Sequence, residues 1–515
     1  LPLGVHAAEA EGADELGEII VTGTRREGVD VSESMRPVDV IGANVLTQQA
    51  ATNLNDVLRT SVVSMNVQRF VAQDGSAFIR PFTLRGLPPD QTLVLVNGKR
   101  RHRSALVQIT NQPLSAGAQG PDLATIPSIA VERVEVLRDG AASQYGSDAI
   151  AGVINFQLKR DREGGTLLAR AGSTYEGDGN EYTLQGNLGL PLATDGFFNV
   201  SAEYTSADPT SRGAQRPDAQ ALINAGNTSV PVPAQRWGNV EAEAARGFFN
   251  AEVGATDSVR AYAFGNYSWS SGDTEFFWRN PNTRADIFTS VPLTNVAGGP
   301  RFSFLTQFPG GFTPVFGTTI KDASLTAGFR GATGGGLKYD FSASGSDSEL
   351  EYRIRNTVNP SLGPQSPTEF EPGTINQREQ QFHADFVYPW DVGAIASPLN
   401  VAFGAEWRRE EFEITAGTRR HGRRVRTPAC SIRTPAASSA SRLAPAAFRA
   451  TPRRLRAATR GGTGRRISTW KVTSRSASRS ASRDASRTSP TSATRSRGRC
   501  PDGWNSPTPS PCVRP

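Results

Sequence analysis

The sequence predicts a compact α+β domain, then an antiparallel transmembrane β-barrel that is incomplete at about nine readable strands, then a basic low-complexity tail. Three observations predict it. Period-two alternation recurs between about residues 165 and 415, the signature of half-buried strands. The links between the alternating runs are short and long in turn. Charge and residue usage change abruptly near residue 419. Gly, at 51 of 515 residues, exceeds the usual ~7% and fits many turns and strands. No window offers eighteen consecutive apolar residues, so a helical span is not expected.

The elements follow in chain order. Residues 1–17 open on Leu1 rather than Met, and Leu1–Ala7 ends in small residues, which reads as the stub of a secretory signal. Residues 18–36 are an extended apolar start and a linker. Residues 37–160 mix helix and strand signals. Pro37–Ile41 reads as a short strand, and Asn53–Leu58 as an amphipathic helix whose first N–H groups Asn53 can cap. Thr92–Val96 runs into Asn97-Gly98, a hairpin-turn signal. Val131–Leu137 and Gly152–Leu158 are two further strands around the Gly-rich bend at 139–148. A domain that precedes a large barrel is a candidate to sit inside it.

Residues 161–418 carry the barrel pattern. Tyr182, Leu184, Leu188 and Leu190 share one strand face, and Thr183, Gln185 and Asn187 share the other. The alternation returns at 198–204, 259–269, 323–329, 337–343, 382–388 and 399–407. A soluble sandwich would alternate in the same way, so connection lengths separate the two. Short links fall near 191–197, 254–258, 330–337 and 388–399, and long ones near 206–247, 270–321 and 348–379. Outer-membrane barrels have short turns at one end and long loops at the other, and soluble domains rarely carry several loops of such length. Tyr182, Phe198, Tyr204, Tyr267, Trp269, Tyr388 and Trp407 fit interfacial girdles, with ordinary core or edge packing as the alternative. An open sheet leaves two unpaired edges that hydrocarbon does not tolerate, so the chain as written is not expected to close a barrel.

The tail, 419–515, is a different chain in composition. The whole sequence has 56 Lys and Arg against 49 Asp and Glu, net +7. After Arg420 the count is 21 basic to 2 acidic, or +19, which leaves 35 basic to 47 acidic, or −12, before it. Cys430, Cys500 and Cys512, the 3 cysteines, all lie there, so the first 420 residues hold no thiolate site, cysteine nucleophile or disulfide. Two readings compete. One is a disordered nucleic-acid-binding arm, carried by Arg453-Arg454-Leu455-Arg456 and the Ser-Arg run of 474–487. The other is a slipped coding frame, which a codon test favours. Re-read from the third base of each codon, the junction of Trp470 and Lys471 must give Glu. Around it, 467–474 is compatible with an alternating strand like those upstream.

At this point three segments resemble one family. Glu18-Ile19-Ile20-Val21-Thr22-Gly23-Thr24-Arg25 is similar to the TonB box and flank of TonB-dependent outer-membrane receptors. Phe82–Gly86 followed by Leu93–Gly98 resembles the core of their plug domain. The run Ile126–Gly140, continuing as Ala141–Phe156, resembles the signature that ends the plug. The resemblance covers about residues 18–415 and implies a plug inside a barrel of about 22 strands, of which roughly half is absent here. It implies TonB as partner, gripping Glu18, Ile19, Ile20, Val21, Thr22 and Gly23 by strand addition, with outer-membrane lipid around the barrel and a small-molecule ligand, such as an iron chelate, in it. Arg85, Glu132, Arg133, Glu135 and Arg138 are expected to pair with wall carboxylates and hold the plug. Arg69-Phe70 and Arg100-Arg101-His102-Arg103 are expected on plug loops, with Arg69, Phe70, Arg101, His102 and Arg103 facing ligand, where a basic, aromatic pair suits an anionic iron chelate or a sugar acid. Solvated loop charge is the alternative.

Catalytic signals are nearly empty. His6, His102, His383 and His421 have no metal-ligand spacing, so neither a metal nor a cofactor is expected. Gly331–Lys338 resembles a phosphate loop, but its Lys is one place late with no Ser or Thr after it, and a tight turn fits better. No enzyme is expected. An energised outer-membrane transporter leads, a passive outer-membrane channel follows, and a basic nucleic-acid binder rests on the tail alone.

Overall fold

The computed structural model describes residues 19–20, 29–30, 37–48, 53–71, 75–108, 116–256, 258–293, 298–391 and 398–417. The tail readings therefore lie outside the described residues, as do Glu18, Val21, Thr22 and Gly23.

The first domain contains β1 (Val38–Gly42), α1 (Ala43–Gln48), α2 (Leu54–Ser61), β2 (Met65–Val67), β3 (Phe82–Leu84), β4 (Thr92–Val96), β5 (Lys99–Arg100), β6 (Val131–Leu137) and β7 (Gly152–Leu158). Five of the strands form one mixed sheet in the order β1-β6-β7-β4-β5, in which only β7 and β4 run parallel. Every residue of β4 is buried, as continuous apolar strands in a covered sheet must be. Asn53 caps α2, its Oδ1 accepting the Asp56 N–H at 3.2 Å, and Leu54, Val57 and Leu58 bury the helix's apolar stripe. That stripe joins Val134, Val136, Ile154 and Phe156 in the core, where each large side chain contributes roughly 1.5–3 kcal/mol of burial. The Asn97-Gly98 turn has φ of 48° and 77°, the left-handed pair that a tight hairpin needs.

The second region is one antiparallel meander of nine strands. They are β8 (Gly165–Gly172), β9 (Glu181–Leu192), β10 (Gly196–Ala207), β11 (Glu241–Thr256), β12 (Val259–Glu275), β13 (Val315–Ala332), β14 (Lys338–Arg355), β15 (Phe370–Trp390) and β16 (Leu399–Ala416). Each pairs with the next, and among the described residues β8 and β16 are edges. Burial settles what alternation left open. On β9, Tyr182, Leu184, Leu188 and Leu190 are exposed while Thr183, Gln185 and Asn187 are buried. Leu325, Phe329, Phe382 and Phe403 repeat the exposed set, and Asn266, Asp322, Thr326 and Gln381 the buried one. A soluble sandwich buries its apolar face. A membrane barrel exposes it to lipid and turns its polar face to the lumen. No described helix is long and apolar enough to cross a membrane.

The loops alternate as expected, with one correction. The short turns leave 193–195, 257–258, 333–337 and 391–398, and the long connections are 208–240, 276–314 and 356–369. The last was expected to span 348–379. In fact β14 and β15 stay paired far beyond the apolar band, with Ser348 opposite Gln377 and Glu351 opposite Thr374. Out there the apolar face changes sides: Leu350, Tyr352 and Ile354 are buried on the inner face, alternating with Glu349, Glu351 and Arg353, so the period of two continues but no longer as an apolar outer face. The 333–337 segment is a tight turn, closed by the Thr333 N–H on the Leu337 carbonyl at 2.9 Å. The long loops are themselves packed: Ile287, Phe288, Phe304 and Phe312 cluster with Val358, and Trp278 with Ala219, Val230 and Ala234.

Candidate functional site

Most of the charged contacts between the first domain and the wall come from one run of side chains, residues 99–103. The Asn97-Gly98 turn sends the chain along the wall, and five successive residues reach five strands. Lys99 Nζ lies 3.0 Å from Asp340 and 3.5 Å from Asp385. Arg100 bonds Asp148 of its own domain at 2.6 Å and lies 3.5 Å from Glu406. Arg101 donates to Asp322 at 2.7 Å, to Asn266 at 2.6 Å and to Ser324 at 2.8 Å. His102 Nε2 is 2.6 Å from the other Asp322 oxygen. The Arg103 N–H donates to Glu379 at 3.0 Å, and its guanidinium lies 3.7 Å from Glu410. Asp148 also faces wall residue Arg408 at 3.4 Å. Burial alone would raise the Asp148 carboxyl; Arg100, Arg408 and Arg103 overcome it and hold it below the usual carboxylate range.

These contacts correct two expectations. Arg101 and His102 are not ligand-facing loop residues. Both are buried against the wall, Arg101 in an ion pair with Asp322 and His102 in a hydrogen bond with it, and Arg103 bonds the wall too. The residues expected to bridge to the wall pair inside the domain instead. Arg138 bonds Asp39 at 2.6 Å, Arg133 bonds Glu135 at 3.0 Å and lies 3.9 Å from Glu132, and Arg85 Nη1 donates to the Ala151 carbonyl at 3.4 Å. The physical reason is register: Glu132, Arg133, Glu135 and Arg138 lie on or just after β6, an inner strand of the sheet, whereas residues 99–103 leave the sheet's edge. Sequence reading missed Lys99 and the wall acids, and took Arg100 only as part of a loop. The signal was present as a five-residue cationic run set against acids on the non-apolar faces of later strands.

Two apolar contacts add to the seating. Wall residues Phe248 and Phe264 join the core of the first domain, and Ala105 and Leu106 pack with Phe316 and Leu350. The rest of the lumen face is a polar lattice, in which Asn187 donates to Asn199 at 2.6 Å and to Ser201 at 2.8 Å.

At the long-loop end a cavity of about 410 Å³ opens between α2, residues 69–70 and 77–80, and the wall. Arg69 and Phe70 line it, so this part of the expected ligand set does fall on a cavity. Arg69 and Arg80 both pair with Asp56, at 2.7 and 2.8 Å. Burial would raise the Asp56 carboxyl, but Arg80 and Arg69 outweigh it and hold it low. Asp122, also on the lining, goes the other way: burial pushes it up to about 6, opposed by the Ala124 N–H and reinforced by Asp322. A hollow of about 620 Å³ by Phe329, Phe341, Phe382 and Trp407 is set among lipid-facing side chains and is no ligand site.

Comparison with known proteins adds the family. Residues 30–153 match the TonB-dependent Receptor Plug Domain. The chain is 35% identical over 154 residues to the vitamin B12 transporter BtuB of Vibrio vulnificus YJ016, covering 30% of this chain and 22% of that protein. It is 29% identical over 199 residues to BtuB of Vibrio cholerae O395, covering 38% of this chain and 28% of that one. The siderophore receptor PirA of Acinetobacter baumannii, a solved structure, gives a TM-score of 0.48 at 20% identity, over 74% of this chain and 49% of that one. The alignments thus span about a quarter of the curated relatives. Residues 30–153 therefore carry the plug domain of TonB-dependent receptors, and the sheet that follows, with its apolar face outward, matches part of the outer-membrane β-barrel that goes with such a plug.

Proposed function

We propose that this chain is the receiving and gating part of an energised importer, which takes a scarce small molecule, a ferric siderophore or similar cargo, from outside and admits it when TonB draws the plug aside. The observation that carries the reading is the seating of the plug. It is a domain with its own core and sheet, which touches five strands through ion pairs and hydrogen bonds from residues 99–103 and is seated besides by a few apolar contacts. Such contacts fix geometry more than they add net stability, and water can replace them as the plug moves. A passive channel has no use for a stopper so held.

The grip for the partner is the segment from Glu18 to Gly23. Within it Ile19 and Ile20 pair with Asp30 and Val29 in a two-stranded ladder. Each strand of such a ladder keeps one edge for a further strand, which is the geometry of strand addition. The Vibrio relatives are vitamin B12 transporters by name, which supports scarce-nutrient import as the class of activity.

The test is capture of the full chain, in detergent micelles, by the immobilised periplasmic domain of TonB. Ile20→Pro removes a backbone donor from the added strand and is expected to abolish capture. Capture of the Ile20→Pro chain at the level of the unaltered chain would sink the reading.

A further inference from the structure

The cavity beside α2 carries an inference about the cargo, one that rests on the receptor reading above. We infer that the part of the ligand seated there is an uncharged, hydroxyl-rich group of the saccharide or polyol class, and not the anionic chelate or sugar acid that the Arg69-Phe70 pair first suggested.

Charge is the first ground. The cations lining the cavity are Arg69, Arg80 and Arg246. All three are already paired with carboxylates of this chain: Arg69 and Arg80 share Asp56, and Arg246 bonds Glu203 directly. Asp122, Glu181, Asp208 and Glu243 add acid to the same lining, so carboxylates outnumber the cations there. An anion entering here would have to break an ion pair or sit beside carboxylates.

Unfilled hydrogen-bonding capacity is the second. Asn55 on α2 and Thr318 on β13 line the cavity from opposite sides and are 0% and 1% exposed. The Asn55 Nδ2 and Oδ1 and the Thr318 Oγ1 have no partner in the protein. Buried polar groups are normally satisfied, and an exception calls for an explanation. An amide supplies donors and an acceptor, and a hydroxyl does both, so together they match a ligand hydroxyl that must also donate and accept. The lumen face supplies more of the same chemistry in Thr205, Ser268 and Ser270, and Phe70 and Phe78 add ring surface for the apolar face of a sugar. At about 410 Å³ the cavity falls within the usual ~300–1,000 Å³ of small-molecule sites.

The test is calorimetric titration of the full chain in detergent micelles, without TonB, using sucrose and maltose as neutral probes and citrate and glucuronate as anionic ones. A neutral disaccharide is expected to bind, and the two anions to bind more weakly or not at all. Thr318→Val keeps the shape but loses the hydroxyl, and should weaken disaccharide binding about three- to tenfold. Thr318→Ser should restore it, and Asn55→Leu should weaken it by a similar factor. Tighter binding of citrate than of either disaccharide overturns the inference. So does absence of disaccharide binding, or a Thr318→Val chain that binds as the unaltered one does. TonB capture without saccharide binding would overturn the ligand class alone, whereas saccharide binding without capture would overturn the import reading alone.

Discussion

In the plug, Val136, Ile154 and Phe156 are fully buried, while Arg69 and Arg138 keep to its edges. In the wall around it, Leu184 and Phe382 are more than half exposed, while Gln185, Glu203 and Gln381 are buried. Both regions are β-rich and both alternate, yet their burial is inverted, because the plug folds against itself and the wall folds against lipid on one side and the plug on the other. The same leucine therefore stabilises the two regions in different ways. In the plug it fills a close-packed interior. In the wall it matches the hydrocarbon and contributes little to packing.

Breaking that contrast has its largest expected effect in the plug. Phe156→Ala empties a site with no exposure and should cost about 3–5 kcal/mol, read as loss of plug stability in denaturant titrations. Leu184→Ala, on the lipid face, should change the same titration far less. A cost at Leu184 equal to that at Phe156 would mean that the outer face is in fact packed.

The next effect down appears only in a membrane. Leu184→Arg should destabilise the strand by about 2–4 kcal/mol in a bilayer, if Leu184 sits near the midplane. In water-exposed form the change should be near neutral, because the side chain is 51% exposed. A refolding titration into vesicles, set beside one in aqueous buffer, separates the two environments. Equal effects in both would contradict a lipid-facing Leu184.

The smallest expected effect sharpens the boundary between the regions. Asp122, between plug and wall, has a carboxyl raised to about 6, chiefly by burial. A carboxyl raised in the folded state binds its proton more tightly there than in the unfolded chain. Its contribution is therefore favourable in acid and is lost as pH rises from about 4 through about 6. Asp122→Asn keeps an acceptor for the Ala124 N–H, which Asp122 binds at 2.9 Å. The variant should be more stable than the parent at pH 7, by on the order of 1–3 kcal/mol, and equal to it near pH 4. Stability profiles over pH 4–8 check this, and a parent that gains stability on passing from pH 4 to 7 relative to the variant would reverse the sign.

How much was legible follows particular residues. Asn53 as a cap, Asn97-Gly98 as a turn and Val131–Leu137 and Gly152–Leu158 as strands were visible because each is decided within a few residues of chain. The strands of the wall were visible only over their lipid-facing stretch. Beyond it, at Glu349–Arg353, the alternation persists with its apolar members, Leu350 and Tyr352, turned inward, and it was passed over because the search followed an apolar outer face. The basic run 100–103 was noticed but its wall partners were not, since local sequence shows a charge without showing what stands opposite.

The sequence by itself determined the element types, the order of domain before barrel, and the alternating faces of each strand. Those depend on propensities, turn chemistry and a period of two, all of them short-range. Only the tertiary structure decided which face of the wall is buried, and that Asp322, more than two hundred residues away, is the partner of both Arg101 and His102. It alone placed Asn55 and Thr318 on one cavity. Burial and ion pairing depend on distances in space, and a sheet of nine strands brings together residues that no reading along the chain sets side by side.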